Sequence, residues 1–150
     1  MTHTRRMTVY LRSPVPDETE RRQASVLGRT DSLRQQGLLD DVSVKYWHRL
    51  STGTDPRETE DIAAMAAWAE ATDCSLTPTF DRHDRHSAFT GDDSVVTLPV
   101  ICLSYWEDGE LVGVYPHRGS CGHCTVADGL DRIEAALQSG EALAHTGSQR

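Results

Sequence analysis

The chain has 150 residues, enough for one domain whose hydrophobic core needs no disulfide staples. Its formal net charge is −8, and Lys45 is its single lysine against fourteen arginines. Because an acidic surface repels nucleic-acid phosphates, we expect no nucleic-acid partner. No apolar run has transmembrane length, so we expect no membrane partner. No apolar segment follows the basic N-terminus, as a signal peptide would require, so we expect a cytoplasmic protein.

The first half of the sequence predicts a strand, a helix and a second strand. Apolar residues alternate with β-formers over residues 7–12, and a helical pattern over 17–36 ends at Gly37. Residues 41–47 alternate cleanly and predict the second strand. A helix of this length between two strands indicates a right-handed parallel crossover.

The second half predicts a helix, a hairpin and a final helix. An Ala-rich helix is expected over 56–72, and a strand over 95–106, interrupted by Pro99, is followed by a turn and a return strand over 111–115. The last helix has a core-facing stripe with helical spacing, formed by Val126, Leu130, Ile133 and Leu137.

The region between these halves, residues 73–93, is the least regular. Its charged repeat over 81–86 is interpreted as a solvated loop, with a metal site as the alternative. We expect one domain over residues 7–140, with flexible ends over 1–6 and 141–150.

Half of the cysteines lie in Cys121-Gly122-His123-Cys124, between the last predicted strand and the last helix. Thr125 and Asp128 predict a helix cap with an acidic partner. Amides at a helix start stabilise a thiolate, so this position favours a lowered thiol pKa. Three interpretations stay open: a redox dithiol, a metal site, and cysteines without chemistry.

The metal interpretation requires four ligands for zinc. The residues available for it are His117, Cys121, His123 and Cys124. Because His123 and Cys124 are adjacent, binding one ion with both would be strained. Apart from zinc in this alternative, no cofactor is expected. Cys102 lies in an apolar strand and is expected to be a buried small hydrophobe.

The element order βαβαββα and the segment Thr97-Leu98-Pro99-Val100 resemble thioredoxins and glutaredoxins. The resemblance implies a thioredoxin-like α/β sandwich with a mixed four-stranded sheet and a cis-proline at Pro99. The usual catalytic cysteine of those proteins follows the first strand, where this chain has no cysteine. The Cys-Gly-His-Cys box is similar to that of protein disulfide isomerases, but theirs also follows the first strand.

In such a fold the first strand ends, the proline strand begins and the last strand ends at one edge of the sheet. The resemblance therefore places Cys121 and Cys124 near Pro99. It implies thiol–disulfide exchange or redox sensing, with Cys121 as nucleophile, Cys124 as resolving thiol and Pro99 shaping the groove for a thiol-containing protein or a low-molecular-weight thiol. The alternative is a non-enzymatic binding or regulatory module on the same scaffold, with a second copy of the chain as a further partner to consider.

The many carboxylates and scarce lysine resemble haloarchaeal proteins. The chain also resembles small uncharacterised haloarchaeal proteins that share a Leu-Pro-Val hairpin, some of which are labelled helix-turn-helix. That label implies DNA binding. The sequence shows no basic recognition helix, and the acidic composition disfavours DNA, so we expect the label not to apply.

Overall fold

The computed structural model describes residues 4–48, 50–51, 56–76, 80–87, 91–119 and 122–139. These residues form three helices, α1 (Asp17–Gln35), α2 (Pro56–Ala71) and α3 (Val126–Ser139). They also form nine strands: β1 (Arg5–Arg12), β2 (Asp41–Trp47), β3 (Leu50–Ser51), β4 (Asp81–Ser87), β5 (Gly91–Thr97), β6 (Ile101–Glu107), β7 (Glu110–Tyr115), β8 (His117–Gly119) and β9 (Gly122–Cys124). None of the helices in these ranges is both long and apolar enough to cross a membrane.

Four strands form the main sheet, in the order β2-β1-β6-β7. β1 is parallel to β2 and antiparallel to β6, and β6 is antiparallel to β7. The parallel pair is connected through α1, as the sequence predicts. The mixed α/β class and the mixed four-stranded sheet are confirmed, and β2 has the predicted bounds.

The segment predicted as a solvated loop is instead a strand. β4 pairs antiparallel with β5 along its whole length, with Arg85 opposite Asp93 and His86 opposite Asp92. This backbone pairing makes the segment a strand although it contains no apolar residue. β3, β5 and β4 form a separate three-stranded sheet.

The strand predicted over residues 95–106 is two strands in two sheets. β5 ends at Thr97, and β6 begins at Ile101 in the main sheet. Proline has no amide hydrogen to donate to a β-ladder, which explains why the break includes Pro99. Two further short strands, β8 and β9, pair with each other after β7.

Two apolar cores lie on opposite faces of the main sheet, because side chains alternate along each strand. The first core joins the sheet to α1 and α3, and it contains the predicted α3 stripe together with Met7, Val9, Leu11, Leu33, Leu103, Tyr105, Tyr115 and Cys124. The second core joins the sheet to α2 and contains Tyr10, Trp47, Met65, Trp68, Leu98, Cys102 and Val114.

The chain enters both α1 and the β8–β9 hairpin from the same edge of the main sheet. There Leu11 near the end of β1 lies opposite Ile101, and Tyr115 at the end of β7 lies opposite Leu103. The side-chain amide of Gln23, in α1, donates to two carbonyls at this edge, of Arg12 at 3.0 Å and of Val100 at 2.8 Å. The three strand ends therefore meet as predicted.

Candidate functional site

The Cys box lies in a short hairpin that leads from β7 into α3. In this hairpin His117 is opposite Cys124, and Arg118 is opposite His123. Neighbouring residues of a strand point to opposite faces, so one face of the hairpin is buried and the other faces solvent. His117 and Cys124 are on the buried face, and Arg118 and His123 are on the exposed one.

A reciprocal cap fixes the start of α3. The Thr125 amide donates to the Asp128 carboxylate at 3.0 Å, and the Asp128 amide donates to the Thr125 hydroxyl at 3.1 Å. This is the capping arrangement that the sequence predicts. The hydrogen bonds from Thr125 lower the pKa of the Asp128 carboxyl, which therefore stays ionised and engaged at the helix start.

The Cys124 thiol does not have the properties of a reactive thiolate. Its residue is only 6% exposed and packs in the first core with Tyr115 and Leu130. Burial raises the pKa of Cys124, and the nearby Arg132 guanidinium opposes that effect only in part. A thiol with a raised pKa is protonated at neutral pH and is a poor nucleophile. The expected lowering of the pKa is therefore wrong for Cys124, while Cys121 lies outside the described residues.

His117 is a buried, neutral histidine. Its Nδ1–H donates to the Val114 carbonyl at 2.7 Å, and its ring packs edge-on against Trp68 with centroids 5.2 Å apart. Burial lowers the pKa of the imidazole, which the hydrogen bond to Val114 opposes. With the proton on Nδ1, the Nε2 atom is an acceptor.

The structure also brings Cys74 to this hairpin, which the sequence did not predict. Ser75 and Arg118 exchange backbone hydrogen bonds of 2.7 and 2.8 Å, which holds the end of α2 against β8. A Cβ built on Gly119 would lie 3.5 Å from Cys74 Sγ and 4.0 Å from His117 Nε2. No local pattern indicates this neighbourhood, because it depends on a bridge between residues far apart in the chain.

Of the predicted zinc ligands, the three that the structure describes do not converge, and Cys121 lies outside the described residues. His117 and Cys124 face the core, whereas His123 is on the exposed face of the same hairpin. The alternation of side chains thus separates His123 from the other two. In the part of the chain that the structure describes, no three His, Cys, Asp or Glu side chains are grouped so that they could hold a metal.

Pro99 is buried on the other side of the sheet from Cys124. Its carbonyl accepts a hydrogen bond from the Trp47 indole at 3.0 Å, and the adjacent Leu98 belongs to the α2 core. The cis X–Pro bonds among the described residues precede Pro14 and Pro116. The bond between Leu98 and Pro99 is not one of these, so the expectation of a cis-proline at Pro99 is wrong.

Two arginines and a histidine lie around the exposed face of the hairpin and the first turns of α3. Arg118, His123 and Arg132 are all exposed, and we call them the hairpin patch. His123 and Arg132 both lie close enough to the Asp128 carboxylate to help lower its pKa. The sequence contains no carboxylate over residues 111–127. The hairpin patch therefore places two arginines and a histidine around the start of α3, where the Asp128 carboxylate also lies.

The described helices do not form a helix–turn–helix pair. α1 ends at Gln35 and α2 begins at Pro56, with two strands between them, and α3 follows α2 only after six further strands. A helix–turn–helix needs two helices joined by a turn of three or four residues. The sequence of α2 has four acidic residues against one basic, and that of α3 three against one.

Comparison with known families gives a different identification from the one that the Cys box suggested. Residues 1–138 match the family described as helix-turn-helix domain. The chain belongs to the helix-turn-helix domain family. No curated protein and no solved structure matches it.

Membership of the helix-turn-helix domain family overturns the resemblance to thioredoxins and glutaredoxins. Thiol–disulfide exchange is wrong as the function, and the catalytic roles of Cys121, Cys124 and Pro99 were expectations from that function. The resemblance was based on element order and one short proline segment, and unrelated families share such features. The regulatory-module alternative fits the family better.

The expectation that nucleic acid is no partner is contradicted too, because helix–turn–helix domains are DNA-binding modules. Net charge does not describe how charge is distributed over a protein surface. A net charge of −8 is compatible with a local group of basic side chains such as the hairpin patch. The match to the helix-turn-helix domain family runs from β1 through most of α3, so it covers the mixed fold as a whole.

Proposed function

We propose that this member of the helix-turn-helix domain family is a DNA-binding regulator that contacts DNA phosphates through the hairpin patch. The observation that carries the proposal is the family match over residues 1–138. The patch supports it because Arg118 and Arg132 are exposed, and arginine forms forked hydrogen bonds to phosphate.

The backbone around the patch also favours a phosphate. Gly119 and Gly122 end the two strands of the hairpin, and Gly122 has φ +105°, a conformation that a side chain would disfavour. Glycine lets a ligand approach the backbone closely. The N-terminus of α3, immediately after the hairpin, already holds the Asp128 carboxylate, so the two arginines would supply the attraction for a phosphate.

The charge of the chain sets the expected form of binding. The net charge of −8 repels DNA over distances beyond the patch, while the patch itself offers few phosphate contacts. We therefore expect weak, salt-dependent association, whose logarithmic salt slope corresponds to a small number of displaced counterions.

Fluorescence anisotropy with a labelled DNA duplex tests the proposal across a salt series. Arg118→Gln and Arg132→Gln should each weaken binding and reduce the salt slope by about one unit. Arg34→Gln is the matched control, since Arg34 is exposed but lies in the last turn of α1, where it pairs with Asp31 at 2.7 Å. Absence of binding by the unmodified protein at every salt concentration, or equal weakening by all three variants, would refute the proposal.

We propose the finer description of the scaffold as well: a βαβαββα core of thioredoxin-like topology, used without dithiol chemistry. The order β1-α1-β2-α2-β6-β7-α3 supports it once the separate β3-β5-β4 sheet and the β8–β9 hairpin are set aside. An experimental structure compared with thioredoxin-like folds over these seven elements tests it, and a different strand order would exclude it.

A further inference from the structure

β2 is an edge strand with an unusual amount of exposed apolar surface. It pairs with β1 on one side and ends the main sheet on the other. Val44 is 41% exposed and Tyr46 is 67% exposed. β2 contains neither proline nor glycine in its seven residues. Proteins usually protect such an edge, because its unpaired backbone groups can pair with another strand.

The backbone groups that face outward can be derived from the pairing with β1. The Trp47 carbonyl accepts from the Ser13 amide at 2.9 Å, so it faces β1. In a parallel pair, the groups of every second residue face the neighbouring strand. Asp41, Ser43 and Lys45 therefore bond to β1, and the amides and carbonyls of Val42 and Val44 face away from it.

We propose that two copies of the chain form a dimer by antiparallel pairing of their β2 edges about a twofold axis at Ser43. In this register Val42 of each copy is opposite Val44 of the other, and the two residues exchange backbone hydrogen bonds. Asp41 of each copy is opposite Lys45 of the other, so two pairs of opposite charge form.

The charges of Asp41 and Lys45 favour this register over an alternative in which outward-facing backbone groups also pair. An axis at Val44 would place Lys45 opposite Ser43 and Asp41 opposite Trp47, which leaves both charges without a complementary partner across the axis. A twofold axis between two residues would place backbone groups that face outward opposite backbone groups that already bond to β1, so the two strands could not form hydrogen bonds. Lys45 already bonds Asp61 of its own chain at 2.9 Å, and its ammonium has further donors for a second carboxylate.

Pairing in this way would join the two main sheets into one continuous eight-stranded sheet and would cover the exposed Val44. The inference depends on the β2 edge alone and does not rest on the proposed contact with DNA.

Sedimentation velocity of the full chain over a concentration series tests the charge pairing. Asp41→Lys and Lys45→Asp should each weaken the dimer by more than about tenfold, because each places like charges opposite one another. Mixing these two variants should restore dimers, since every cross-axis pair is then of opposite charge. A monomeric unmodified protein, or a mixture that stays monomeric, would overturn the proposal.

A backbone substitution gives an independent test. Val44→Pro removes an amide that faces outward and leaves the hydrogen bonds to β1 in place, so a folded monomer is expected. Val44→Thr keeps the amide and is the matched control, which should remain dimeric. Circular dichroism reports whether each variant is folded. A folded Val44→Pro protein that dimerises as strongly as the control would exclude pairing through β2.

Discussion

Gly129 of α3 lies directly against the ring of Tyr115 in β7. A Cβ built on Gly129 would be 2.4 Å from the ring carbon Cγ and 2.6 Å from both Cδ atoms, well inside van der Waals contact. The Tyr115 ring is fully buried and also packs against His117, with centroids 5.0 Å apart. The absence of a side chain at Gly129 therefore sets how closely α3 approaches the sheet.

Gly129→Ala should destabilise the protein. The added methyl group must displace a buried ring, and overpacking of this kind costs about 1 to 3 kcal/mol, more than the gain in helix propensity of roughly 1 kcal/mol. Urea unfolding followed by circular dichroism measures the difference.

Gly28→Ala in α1 is the control for that substitution. A Cβ on Gly28 would meet no atom within 4 Å, so only helix propensity changes, and the variant should be more stable by about 0.5 to 1 kcal/mol. If Gly129→Ala stabilised the protein as much as Gly28→Ala, the close contact with Tyr115 would be incorrect.

His117 should make the stability of the fold sensitive to mild acid. Burial lowers the pKa of its imidazole, so below pH of about 6.5 the unfolded chain takes up the proton more readily than the folded one. The contribution of the neutral His117 imidazole to the stability of the fold is therefore present above that pH, and it is lost as the pH falls towards the lowered pKa. Urea unfolding at several pH values measures the effect.

Substitution of His117 isolates this contribution. His117→Gln should be less stable than the unmodified protein at pH 8, because it loses packing on Trp68, and the difference between the two should narrow as the pH falls. His123→Gln removes a histidine from the exposed face of the same hairpin and is the matched control, because it keeps the packing of His117 on Trp68. A constant difference between the His117→Gln and unmodified proteins at all pH values would contradict a buried neutral imidazole.

Alkylation should distinguish the described cysteines by burial. Cys124 and Cys102 are buried, and burial raises the pKa of both thiols, so they should resist iodoacetamide at neutral pH. Cys74 is partly exposed and should react first among these three. Peptide mass mapping over time measures the order, with unfolded protein as the control in which all three react. Rapid modification of Cys124 in the folded protein would show that its thiol is accessible.

Local periodicity made much of the fold predictable from the sequence. Val126, Leu130, Ile133 and Leu137 are spaced for one helix face, and all four are buried as that spacing predicts. The alternation in β2 likewise gave its bounds. Both patterns are properties of neighbouring residues, and they survive in the folded chain because tertiary packing uses the same faces.

Features that depend on distant residues were not predictable in this way. β4 is polar, and it becomes a strand through pairing with β5, while Cys74 reaches His117 through the bridge between Ser75 and Arg118. The position of the Cys box before a helix predicts a reactive thiol, but the core around Tyr115 buries Cys124. Helix position alone favours a thiolate, and burial reverses that preference here.

The cap of α3 should give a pH-dependent contribution to stability that requires both of its partners. Thr125→Ala removes the hydroxyl acceptor and should cost about 1 kcal/mol. The hydrogen bonds with Thr125 lower the pKa of the Asp128 carboxyl. The contribution of this carboxylate to the stability of the fold is therefore present above pH of about 4 and is lost as the pH falls through the lowered pKa. Asp128→Asn should remove that acid sensitivity. Thermal unfolding of both single variants and the double variant at pH 3 to 7 measures the coupling. Strictly additive effects at pH 7 would show that Thr125 and Asp128 do not act as one cap.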